Sequence, residues 1–139
     1  MAEITVVKEQ LTDSMIEAGA QLTETLDKNG LPLVAAFWLF TTDLNEWRLL
    51  FASPEMSSLG PRSVYVKIDK ARAALGELAD KVPLSVIGLM DQSNQLVQLL
   101  ASTLRVEGLS RIRFSRNAIN GHFIEDALIY RVTKPSLTV

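Results

Sequence analysis

Apolar residues recur in the first third of the chain at helical spacing. Leu11, Met15, Ala18, Leu22 and Leu26 follow one another at intervals of four, three, four and four, which predicts one helix face between Lys8 and Lys28. Ser14 with Glu17 can form a capping box, and Thr12 is an equally good start. Asn29-Gly30-Leu31-Pro32 ends the helix, because Gly tolerates a left-handed cap and Pro cannot continue. The pattern then changes. Leu33 to Phe40 is apolar on both faces, as expected of a strand covered on both sides and central in its sheet. After the polar Thr41–Asn45, the segment Glu46–Ser53 puts Trp47, Leu49 and Phe51 on one face and predicts the second arm of an antiparallel hairpin.

Pro61 suits a first helical position, and a helix from Pro61 to about Leu78 would bury Val64, Ile68, Ala71 and Leu75. Gly76 weakens its last turn. Leu84–Leu89 predicts a third strand. Asp91 or Ser93 can cap a helix from about Gln92 to Leu104 that buries Leu96, Leu99, Leu100 and Leu104. The closing segment reads as a hairpin, and Thr133–Val139 as a flexible tail. The expected fold is α+β: a single domain over residues 1–132 with a five-stranded mixed sheet and three helices, in the order α-β-β-α-β-α-β-β. Right-handed crossovers would allow strands two, three and four to pair in parallel.

The C-terminal hairpin carries the residues with legible chemistry. With Asn117–Gly121 as its loop, Arg116 faces His122, Phe114 faces Ile124 and Arg113 faces Glu125. That register gathers Ile112, Phe114, Ile124, Leu128 and Tyr130 on one face, and Arg111, Arg113, Ser115 and Glu125 on the other. The adjacent carboxylates Glu125 and Asp126 then point to opposite sides and form no catalytic pair. His122 and Asp126 share a face but lie roughly 13 Å apart, too far for a base and its orienting acid. Read plainly, His122 is a polar residue beside a turn, and the arginines are a solvated face with one cross-strand ion pair. Read functionally, Arg111, Arg113, Arg116, Asn117, Asn120 and His122 form an anion or nucleic-acid surface, since guanidinium forks bind phosphates bidentately. Phe123 alone could serve it as a stacking platform.

Other motifs carry less. Ser57, Ser58, Arg62 and Ser63 lie at a strand-to-helix junction that could bind an anion, but no Walker A or G-x-G-x-x-G pattern is present. A short, Pro-capped connection is the commoner explanation of the loop. Trp47 beside Arg48 reads as core by its alternation with Leu49 and Phe51. One histidine and no cysteine rule out a typical zinc site, leaving Asp43 and Glu46 as the only carboxylates considered for magnesium. No cofactor is expected, and no G-x-S-x-G elbow occurs.

Composition narrows the classes. At 139 residues and 47% hydrophobic, the chain is long and apolar enough for one folded core. No apolar run approaches a membrane span, and the start lacks a basic and then apolar leader, so a cytoplasmic location is expected. The net charge of −2 hides a gradient: residues 1–46 sum to −6 and residues 47–139 to +4. Such a chain is either internally complementary or pairs head to tail with a copy.

Three readings follow. The first is a small non-catalytic interaction or assembly protein whose partner is itself or another protein. The second is a binder of a phosphate-bearing ligand, nucleic acid or nucleotide, through the arginine face. The third, ranked last, is a small hydrolase with His122 as general base.

Overall fold

The computed structural model describes residues 8–133, and it shows the α+β fold with a five-stranded mixed sheet. Helix α1 spans Asp13–Lys28, and the Thr12 hydroxyl caps it by accepting from the Met15 amide at 3.2 Å. Gly30, at φ 82°, turns the chain out of it. Strands β1 (Ala35–Thr41) and β2 (Glu46–Ala52) form the expected antiparallel hairpin. A one-turn helix α2 (Glu55–Ser58) and helix α3 (Pro61–Ala73) follow, then short 3-10 turns, strand β3 (Ile87–Met90), helix α4 (Gln95–Thr103) and the hairpin of β4 (Ile112–Ile119) and β5 (His122–Val132). The sheet order is β3-β2-β1-β5-β4, so β1 is central, as its two-sided apolarity requires.

Several boundaries differ from the sequence expectation. Helix α3 stops at Ala73 rather than near Leu78, because Gly76 adopts φ 63° and the chain continues as a 3-10 turn. Asn94, not Asp91 or Ser93, caps α4 by accepting from the Leu96 amide, so α4 is shorter and buries Val97 and Leu100 most deeply. Only β2 and β3 pair in parallel; β4 lies at the opposite edge and pairs with β5 alone. The expected tail begins with Thr133, whose amide donates to Val34 O at 2.8 Å; its remaining residues, 134–139, lie outside the described part.

The sheet separates two apolar clusters. Trp38, Phe40, Trp47, Leu49, Phe51, Leu128 and Tyr130 pack with α1 and α3. Ala35, Phe37, Ala52, Ala127, Ile129 and Val132 pack with α4 on the other face. Side chains of a strand alternate between faces, so neighbours such as Phe37 and Trp38 serve different clusters. A bulge between Ala36 and Phe37 of β1 leaves Tyr130 of β5 outside the ladder. Arg131 pairs with Asp27 of α1 instead of following Ile129 toward α4, at 2.6 Å.

Candidate functional site

The closing hairpin turns on two residues. Ile119 pairs with His122, and Asn120 and Gly121 adopt φ 48° and 83°, as a tight Asn-Gly hairpin turn requires. This corrects the five-residue loop expected from the sequence and moves the register by three residues. An odd shift changes which side chains share a face. Ser115 now pairs with Asp126, and Arg113 lies across from Leu128. Arg111, Arg113 and Ser115 therefore face α1 beside Asp126, Leu128 and Tyr130, while Ile112 and Phe114 lie with Ala127 and Ile129 on the α4 side. Arg116 has φ 45°, and beyond it Ile119 and Ile124 join the α4-side cluster. The expected Arg113–Glu125 pair does not form; Glu125 lies 3.9 Å from Arg116 instead.

Arg113 binds Asp126 with both arms of its fork. Its Nε and Nη2 each donate to an Asp126 oxygen at 2.6 Å. The Ser115 hydroxyl and the Lys8 ammonium also donate to this carboxylate, each at 2.8 Å. Asp126 is only 5% exposed, yet burial, which favours the neutral acid, is outweighed by these donors and its pKa lies well below the usual carboxylate range. The aromatic pair Phe40 and Trp47 completes the surroundings: Lys8 Nζ is 4.7 Å from the Phe40 ring centre and 5.5 Å from that of Trp47, and the Arg113 guanidinium is 5.3 Å from Trp47. Trp47 is core, as its alternation predicts, and its indole donates to Glu9 O at 2.9 Å.

The six candidate residues do not converge. Arg111 reaches Glu17 of α1 at 2.7 Å, and Arg113 is held by Asp126. Arg116 extends into solvent, its side chain 82% exposed. Asn117 accepts from the following amide of Ala118. Asn120 and His122 line a different recess of about 580 Å³ with Gln95, Leu96, Gln98, Leu99 and Ser102 of α4. No carboxylate lines that recess, so no histidine–carboxylate pair forms there. In the loop after β2, Ser57 donates to Asp91 and Glu55 pairs with Lys67, which ties the segment into the fold. Among the described residues no group of three His, Cys, Asp or Glu is placed to hold a metal ion.

The sequence reading missed Lys8 and the role of Asp126. Lys8 lies 118 positions from its partner, and nothing local marks such a contact. The Asn-Gly dipeptide was the available signal: taken as the turn, it pairs Ser115 with Asp126 directly. The charge gradient is answered inside the molecule, because Glu17 and Asp27 of α1 meet Arg111 and Arg131.

Comparison of the chain with protein-family profiles, curated proteins and solved structures found no match in any of the three.

Proposed function

We propose that the protein is a small non-catalytic assembly protein that self-associates through the β4 edge of its sheet. The observation that carries this reading is the contrast between the two edges. Strand β3 is four residues long, whereas β4 is eight and presents Ile112 at 44% exposure beside the half-buried Phe114. A long edge with unpaired backbone groups and apolar side chains is a template for another strand. Two of its arginines, Arg111 and Arg113, are already matched by Glu17 and Asp126, which leaves Arg116 as its solvent-extended charge. A second copy in antiparallel register would continue the sheet about a two-fold axis.

Sedimentation velocity tests this. The native chain should form a dimer at about 100 μM, a range that captures micromolar association, and Ile112→Lys should shift it to monomer while keeping the melting temperature that the native chain has at a dilution where it too is monomeric. A native chain that stays monomeric at that concentration refutes the reading. The phosphate-ligand alternative rests on one observation, the solvent-extended Arg116 at the positive-φ position within β4. It requires that replacing Arg111, Arg113 and Arg116 together abolish a salt-sensitive binding to nucleic acid or nucleotide.

A further inference from the structure

The Asp126 cluster lies where α1 has not yet begun. Phe40 and Trp47 are cross-strand partners on β1 and β2, and Ser115 and Asp126 are partners on β4 and β5. Four neighbouring strands thus build one end of the α1-side face. The segment Lys8–Thr12, which has no regular secondary structure, crosses it before Asp13 starts the helix. Lys8, Glu9 and Gln10 are exposed, while the groups beneath them are not: Trp47 is 1% exposed, Asp126 5% and Phe40 7%. A recess of about 470 Å³ opens here, lined by the segment together with Trp47, Arg113 and Asp126.

We propose that this end of the sheet is a binding seat for an alkylammonium group, occupied in the resting chain by its own Lys8. Two aromatic faces and a carboxylate are the elements that recognise a cation on a flexible apolar stem. The Phe40 and Trp47 rings stand within 6 Å of the ammonium, the range in which the ring quadrupole attracts a cation. Asp126 Oδ2 adds a charge-assisted hydrogen bond at 2.8 Å. Arg113 and Ser115 hold that carboxylate from the β4 side, so its orientation does not depend on Lys8. The seat belongs to the sheet, and its occupant belongs to a segment that is exposed at Lys8–Gln10 and tied to the sheet by the Trp47 indole at Glu9 O. Its ligand class is a primary amine, either the lysyl side chain of a partner segment or a small free alkylamine. The site uses α1-side side chains of β4 and not the outward backbone groups that would pair with a second copy, so its failure would leave the association reading standing.

Lys8→Ala empties the seat without touching its walls. In proton–nitrogen correlation spectra, titrating this variant with n-butylammonium chloride should move the Trp47 indole resonance saturably, with a Kd on the order of 10 mM. The Trp38 indole, bonded to Tyr130 on the same face, is the internal reference. The native chain should respond about twofold more weakly, because a competitor tethered at an effective concentration of about 10 mM raises the apparent Kd by the factor 1 + Ceff/Kd. Nα-acetyl-lysine amide distinguishes the sources: tighter binding than butylammonium identifies a lysyl segment, and equal binding a small amine. Adding Asp126→Asn to Lys8→Ala should abolish the response, and Phe40→Leu, which keeps the carboxylate and its fold contacts, should weaken it several-fold. A Lys8→Ala response no larger than that to sodium chloride at equal ionic strength overturns the proposal. So does an undiminished response in the folded Phe40→Leu variant.

Discussion

The two faces of the sheet are finished to different degrees. The α1 side is covered by sixteen- and thirteen-residue helices, whereas the α4 side has one helix of nine. On the α1 side of the sheet lie both tryptophans, Tyr130 and a buried carboxylate, all hydrogen-bonded; among the described residues no buried side-chain polar atom lacks a partner. Beneath and beside α4 the side chains are mostly aliphatic, and the strand residues Leu39, Leu50, Met90 and Phe114 remain half-buried, against Leu89 alone among the described strand residues of the α1-side cluster. Polar groups inside a core demand specific partners and so define one arrangement. Aliphatic side chains left half-buried keep part of their burial free energy available for another surface. The first face explains how the chain specifies its structure, and the second leaves room for association.

Adjacent residues of β2 sharpen that contrast most. Leu49 is fully buried toward α1, and Leu50 points half-exposed toward α4. Leu49→Ala should cost about 3.5 kcal/mol in urea unfolding, with transfer and cavity contributions together. Leu50→Ala should cost about 1 kcal/mol, since much of its surface is already wet. Equal losses would show that the faces are equally closed.

Asp126 offers the next largest effect. Asp126→Ala should cost about 2.5 kcal/mol, below the usual loss for a broken buried pair because Arg113 and Lys8 can rehydrate. Its folded pKa lies below the unfolded value, so its contribution is fully present above about pH 4 and declines as the pH falls below that. The native chain should therefore lose stability on acidification more steeply than the Asp126→Ala variant. Parallel pH profiles of the unfolding free energy would contradict the assigned role of this carboxylate.

Gly19 gives the most pointed test. It sits within α1, where alanine usually stabilises a helix. A Cβ there would lie 2.5 Å from the Tyr130 hydroxyl and 2.7 Å from Trp38 Nε1. Those atoms form a buried relay, Trp38 donating to Tyr130 at 3.0 Å and Tyr130 donating to Ile16 O at 2.6 Å. Burial also holds the Tyr130 phenol protonated far above its ordinary range, so it remains a donor. Gly19→Ala should thus destabilise by about 2 kcal/mol in thermal or urea unfolding. A stabilised variant would mean that the relay is loose.

Much of the architecture was legible in the residue pattern. The period of Leu11–Leu26 located α1, the two-sided apolarity of residues 33–40 placed β1 at the centre, and Trp47, Leu49 and Phe51 defined the inner face of β2. These features rest on local periodicity, which follows from the geometry of helix and strand. The hairpin register was encoded too, in Asn120-Gly121, but a longer loop also satisfied the local apolar pattern. Only the paired structure selected between them.

What the sequence by itself determined is the sorting of residues into elements and, for α1, β1 and β2, the assignment of their faces. Tertiary structure alone decided which distant residues meet. It set Lys8 and Arg113 on Asp126, and Arg111 and Arg131 on the acids of α1. Such contacts depend on strand order, on the bulge near Tyr130 and on the path of α1 across the sheet. Local spacing carries no record of them, because the ends that meet are joined only through the whole packed fold.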